Sequence, residues 1–227
     1  MMRILTLLCV FAIVLLCSLQ AHAALLDRGT DSLGNKLIYD TDLDITWYDY
    51  TSPKNIWQVQ MDWAGALDVN LGGTHFTDWR LPTTVDGEYV WGYNGTTTAG
   101  YNITSSEMGH LFYTELLNKG YYTPTGACLY DDLFKNVGLK NTGDFQNLQN
   151  VAYWSSTTYL GSTNAAWKFS NYDGGQYDND QIEGLYAIAV RPGDVAVAVA
   201  PEPISMVLFG TGGIFMAACR KLRKAAA

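Results

Sequence analysis

Two apolar runs stand at opposite ends of this chain, residues 4–16 and residues 204–219, and they confine the water-soluble fold to what lies between them. The first run follows Arg3 and leads into Ala21-His22-Ala23, a small-x-small site. That order is the order of a secretory signal peptide, residues 1–23, with cleavage expected after Ala23. The run is short for a membrane anchor, which takes about 20 residues. A lipoprotein site is set aside because Leu16, not a small residue, precedes Cys17.

The second run is uncharged, follows Pro201-Glu202-Pro203, and ends in the basic residues Arg220, Lys221, Arg223 and Lys224. As a helix it would reach about 24 Å, slightly short of the ~30 Å of a bilayer's hydrocarbon core, with Leu222 and snorkelling basic side chains to extend it. Because it is apolar on every face, it does not read as the amphipathic helix of a soluble domain. The basic cluster places that end in the cytoplasm, so the rest of the chain faces outward. Prolines on both sides of Glu202 favour extended backbone, the form a protease cleft accepts.

The intervening residues 24–200 number 177, about one domain, with residues 24–194 as the folded part and 195–200, alternating Val and Ala, as a linker. They hold nine Lys and Arg against 21 Asp and Glu, a net charge of −12, where the whole chain carries −8. Such a surface opposes nucleic acid, anionic lipid and sulfated glycan, and leaves neutral glycans and cations open. Cys128 is the one cysteine in this part, so no internal disulfide can brace it. Its own core must hold it, and all seven tryptophans and fifteen tyrosines of the chain lie here.

Short strands are expected at residues 36–39, 45–48, 151–157, 165–170 and 185–191, with Asp173-Gly174-Gly175 as a turn between the last two. Ile56, Val59, Trp63, Ala64 and Leu67 recur at helical spacing after a start at Ser52-Pro53. A second helix is signalled by Thr104 and Glu107 as a capping box, a stripe of Met108, Leu111, Phe112 and Leu116, and closure at Lys119-Gly120. Residues 86–102, rich in Gly, Thr and Tyr, read as a surface insertion or irregular hairpin. Two helices ahead of an antiparallel β meander make the fold class α+β.

Asp78-Trp79-Arg80-Leu81-Pro82-Thr83, Tyr153-Trp154-Ser155-Ser156-Thr157, Ala166-Trp167 and Ala189-Val190-Arg191-Pro192 follow one another in an order that resembles the Lcl C-terminal-like domain, a domain of unknown function. The resemblance spans roughly residues 40–194. It implies a compact binding module related to the C-type-lectin-like and formylglycine-generating-enzyme-like folds, and it supplies no catalytic residues. The short first helix and the long Gly-Thr-Tyr segment depart from that pattern. Residues 201–224 look like a PEP-CTERM sorting signal, with residues 225–227 as the chain end. That likeness implies a transmembrane intermediate in the inner membrane, an exosortase-type membrane protease as partner, and retention at a Gram-negative cell surface or in an exopolysaccharide biofilm matrix.

Trp79 and Trp154 read as core residues, with Arg80 held by Asp78 or by backbone carbonyls. For stacking on a sugar face, the candidates are Tyr89, Trp91, Tyr93 and Tyr101, flanked by Asp86, Asn94 and Asn102 in a segment without regular structure. Asp40-Thr41-Asp42-Leu43-Asp44 alternates like a calcium loop but lacks its glycine and its terminal glutamate, since Ile45 and Thr51 stand there. Asp173, Asp178, Asp180 and Glu183 are a second acidic set, either a cation site for calcium or a solvated loop.

His75 and His110 are the histidines of the exported part, and with Cys128 they show no zinc spacing; no nucleophile elbow is present. Among 21 carboxylates any glycosidase-like pair is uninformative. Two sequons, at Asn94 and Asn102, read as chance beside a bacterial-type tail. The expectation is an exported, non-enzymatic module without a cofactor, binding glycan or another matrix component. The alternatives are a carbohydrate-active hydrolase on the same scaffold and a purely structural matrix protein.

Overall fold

The computed structural model of the chain describes residues 25–129 and 135–196. The signal peptide, the Pro201-Glu202-Pro203 motif, the apolar run and the basic cluster lie outside the described residues. Among the described residues no helix is long and apolar enough to cross a membrane.

Eleven strands and two short helices follow one another along the described chain. Strands β1 (Leu25–Thr30), β2 (Lys36–Asp40) and β3 (Ile45–Asn55) form an antiparallel start. Helix α1 (Trp57–Gly65) and the hairpin β4 (Val69–Leu71) with β5 (Thr74–Phe76) come next. Two brief strands, β6 (Trp91–Gly92) and β7 (Ala99–Gly100), precede helix α2 (Glu107–His110), which runs directly into a π-helical turn, Leu111–Glu115. The chain closes with β8 (Ala152–Thr158), β9 (Ala165–Ser170), β10 (Gly175–Asp180) and β11 (Leu185–Pro192).

Nine strands form one sheet in the order β1-β2-β3-β11-β8-β9-β10-β7-β6. The α+β class holds, but the meander is interrupted. β8, β9 and β10 pair antiparallel, and then β11 returns to lie between β3 and β8, antiparallel to the first and parallel to the second. An extra strand, β10, occupies the stretch between the expected turn and the last strand, so Asp173-Gly174 turns the β9–β10 hairpin. The segment at residues 86–102 is the far edge of the same sheet, through the pairing of Gly100 with Gln176.

Alternation along the central strands sends residues to two buried faces. Trp47, Ile188, Val190 and Tyr153 point toward the α2 side, where Met108, Leu111, Phe112 and Leu116 pack as the helical stripe predicts. Tyr48, Ala187, Ala189 and Trp154 point toward the α1 side, with Trp79 and Ala64. Small residues on β11 make room there for the two large indoles. Trp79 and Trp154 are thus core residues, their indole N–H groups donating to Phe76 O (2.8 Å) and Asn55 O (3.2 Å). Val195, assigned above to the linker, is buried in the same cluster, so the fold extends at least through it.

Both helix starts differ from expectation. β3 continues through Pro53 because its pairing with β11 shifts between Ser52 and Asn55, where a residue without an N–H donor costs little. Helix α1 therefore begins at Trp57, and it buries Gln60 and Ala64, with Trp57 and Met61 half-buried beside them, while Ile56 and Val59 remain exposed. Gln60 turns the helix to this face through three hydrogen bonds: Oε1 accepts from Ser52 Oγ (2.9 Å), and Nε2 donates to Pro53 O (2.7 Å) and Leu185 O (3.0 Å). In α2 the cap is Ser106, whose hydroxyl accepts from Gly109 N, rather than Thr104. The helical stretch ends at Leu116, followed by Leu117 at φ 52°, ahead of Lys119-Gly120.

Candidate ligand face at the sheet edge

Glycine and asparagine build the irregular edge. At Gly100, φ is 107° and a Cβ would stand 1.9 Å from Gly92 O, so only glycine lets β7 lie against β6. At Gly95 the same construction meets Asn102 O at 2.1 Å. Asn102, itself at φ 59°, donates from Nδ2 to Tyr93 O (2.7 Å) and Tyr122 O (2.9 Å), tying the edge to the segment after the π turn. Gln176 Nε2 donates to Thr98 O (2.8 Å), anchoring it to β10.

On this frame three of the four aromatic candidates converge. Trp91 meets Tyr93 and Tyr101 edge to face, at 6.4 and 5.7 Å between ring centroids, while Tyr93 and Tyr101 stack at 6.3 Å. Tyr122 lies 4.9 Å from both tyrosines, and Tyr177 of β10 lies 5.7 Å from Trp91. The roles separate by burial: Trp91 is 42 % exposed, while Tyr101 is 4 % exposed and supports it from beneath. Tyr89 belongs to a second group, stacked on the buried Trp167 at 6.1 Å and 2° and edge-on to Tyr159, and it too keeps an exposed ring.

Polar groups fix the lower layer. Tyr177 donates to Asp173 Oδ2 (2.7 Å), so the Tyr101 hydroxyl at 2.9 Å donates to Tyr177. Burial pushes the Tyr101 phenol up to about 12. Burial raises Tyr177 further, and Asp173 adds to it. Both hydroxyls therefore stay neutral donors across ordinary pH. Lys168, its ammonium disfavoured by burial, lies over the Tyr177 ring and donates to Asn179 Oδ1 (3.0 Å). Asp86, whose carboxyl is held below its usual range by hydrogen bonds from Trp167 and Leu160 N, fixes the second group.

The acidic candidates do not gather. Asp173 braces the β9–β10 turn, accepting from Gly175 N and Tyr177; Asp178 and Asp180 project from β10, and Glu183 lies in the turn beyond it. Among the described residues, no three of these carboxylates bring their oxygens within ligand distance of one another. The Asp40-to-Asp44 stretch is the β2–β3 turn, with Asp40 Oδ1 accepting from Asp42 N and Leu43 N (3.1 Å each). Arg80 is held by neither Asp78 nor carbonyls alone: Glu107 grips it with two 2.7 Å contacts, and Leu81 O accepts a third. A small concavity between Thr84, Ser155, Lys168 and Gln176 has about 10 Å³, space for one water.

Sequence reading missed Tyr122 and Tyr177, which lie 29 and 84 residues from Tyr93. It also missed a polar cluster on the α2 side, where Asp40, His110 and Glu115 place one ligand-type atom each within 4.8 Å of one another. The spacing of five residues between His110 and Glu115 gave no sign of it, since an α-helix would not align them. Compared with protein-family models and with curated proteins, the chain matches none of them.

Proposed function

We propose that this chain is an exported, tail-sorted surface or matrix protein. Its folded part is a non-enzymatic module for neutral glycan, on a scaffold of the C-type-lectin-like or formylglycine-generating-enzyme-like kind. The observation that carries the reading is the ledge at the sheet edge, where an exposed Trp91 rests on Tyr101 and Tyr177 beside Tyr93. An indole held rigid at low entropic cost offers an apolar face to the C–H side of a pyranose. The charge of −12 supports neutral rather than anionic sugars. The Pro201-Glu202-Pro203 motif, apolar run and basic cluster support handling by an exosortase-type protease.

Glycan-array binding with the full chain in mild detergent tests the reading. Neutral polysaccharide binding that is lost in Trp91→Ala, with far-ultraviolet dichroism unchanged, is the expected result. Equal binding by wild type and variant, or binding confined to sulfated glycans, would overturn it.

A further inference from the structure

We propose that Asp40, His110 and Glu115 form a site for a divalent first-row transition ion, with Zn²⁺ as the probe and Asp42 at its mouth. His110 Nε2 stands 3.2 Å from Glu115 Oε1 and 3.9 Å from Asp42 Oδ2, and the Asp40, His110 and Glu115 ligand atoms all lie within 4.8 Å of one another. A tetrahedral ion with bonds of 2.0–2.2 Å holds its donors about 3.4 Å apart. Side-chain rotations that close the group by about an ångström are enough.

The π turn makes the constellation possible. Leu116 N donates to Leu111 O (2.9 Å), five residues back, so the wider turn brings His110 and Glu115 to one side. In a regular α-helix, residues five apart point about 140° away from each other. Such turns are rare and concentrate at functional sites.

Asp40 is oriented before any ion arrives. Its Oδ1 is used by two backbone N–H groups, while Oδ2 accepts from the Trp47 indole N–H at a long 3.4 Å, an arrangement suited to a metal ligand. Burial is graded: Asp40 is fully buried, the Glu115 and His110 side chains are 3 % and 14 % exposed, and Asp42 is 44 % exposed. Ions would enter past Asp42.

Charge also points to a cation. Three carboxylates face one imidazole, and among the described residues no lysine or arginine pairs with any of the four. One nitrogen beside carboxylate oxygens favours Zn²⁺ or a neighbouring ion over Ca²⁺, which takes oxygen alone.

The test uses the full chain in mild detergent, stripped with EDTA and titrated with Zn²⁺. Expected are one bound equivalent, a rise in the unfolding midpoint reversed by EDTA, and a shift of the His110 ring nitrogen by NMR while His75 stays in place. His110→Asn and Glu115→Gln each weaken binding by more than about tenfold. Asp42→Asn, at the exposed mouth, weakens it less and keeps the fold intact. Asp68→Asn, which removes the carboxylate beside the surface His75, leaves Zn²⁺ affinity unchanged. The proposal is overturned if the wild type binds no Zn²⁺, if the His75 signal moves instead, if His110→Asn binds like wild type, or if Ca²⁺ binds as tightly as Zn²⁺.

Discussion

Arg80 and Glu107 meet as a parallel two-pronged pair, both nitrogen–oxygen distances being 2.7 Å, and the glutamate also accepts from Thr83 N at 2.7 Å. Arg80 is itself bridged by its backbone to Val190 of β11, in both directions at 2.8 Å. The pair thus fastens the first residue of α2 to the centre of the sheet. Glu107→Ala is expected to destabilise the fold by about 2 kcal/mol, since a charge-assisted bidentate pair and a backbone partner are lost together. Arg80 is about one-third exposed, so solvent reaches it and limits the loss. Denaturant midpoints measure this, and a change within about 0.5 kcal/mol would show the pair to be ornamental to stability.

Glu107 also shows why the helix was legible and its cap was not. The 3.6-residue period located the buried stripe from Met108 to Leu116, because burial of apolar groups acts on every turn. The spacing of Thr104 to Glu107 fits a capping box, but Arg80, 27 residues earlier, takes the carboxylate, and Ser106 supplies the cap. Long-range pairing overrode a local pattern. The positions of β2, β8, β9 and β11 and the start of β3 were likewise readable, whereas β1, β4, β5 and β10 were not, and the insertion of β11 between β3 and β8 depends on contacts with no local signature. At the ledge, the loop aromatics Trp91, Tyr93 and Tyr101 were visible, and the partners contributed by β10 and the distant Tyr122 were not. The cluster at His110 required a π turn that no side-chain pattern announces.

Gln60 offers a second test of buried polarity. Its side chain is 1 % exposed and makes all three of its hydrogen bonds to β3 or β11, one of them with Ser52. Gln60→Leu keeps the volume but leaves Ser52 Oγ and two carbonyls facing an apolar group. A loss of about 2–4 kcal/mol is expected, most of it the cost of leaving polar groups unpaired. Equal stability of Gln60→Leu in urea unfolding would mean that these groups find other partners.

The tyrosines set an alkaline limit. Burial raises Tyr101 and Tyr153 from 10.0 to about 12, so each folded-state phenol holds its proton where the unfolded one releases it. The stability tied to that difference is fully present below pH 10 and is lost as pH rises from about 10 to about 12. Tyrosinate absorbance should therefore rise in two stages, the second coinciding with loss of near-ultraviolet dichroism. Complete ionisation near pH 10 with the fold intact would contradict this burial.

Sorting is separable from folding. Glu202→Ala, or truncation after Ala200, is expected to change where the protein is retained in cell fractionation without altering the thermal midpoint of the folded part. Among the described residues the buried clusters are built from residues up to Val195, so neither change removes a side chain from them. Unchanged retention in both variants would remove the sorting reading and leave the ledge untouched.

Gly100 connects the frame of the edge to its ligand face. A methyl group there would meet Gly92 O at 1.9 Å, on backbone that cannot yield without breaking the Trp91–Ala99 and Gly92–Gly100 pairing, and φ of 107° is strained for any L side chain. Gly100→Ala is expected to cost about 3 kcal/mol locally and to release Trp91 from Tyr101. Because the two central clusters of the sheet do not include β6 or β7, the global unfolding midpoint should fall by less than that. Tryptophan emission reads the difference: a shift to longer wavelength at native pH, absent from Gly100→Ala combined with Trp91→Phe. If the single variant emits like wild type, the ledge does not depend on the β6–β7 pairing.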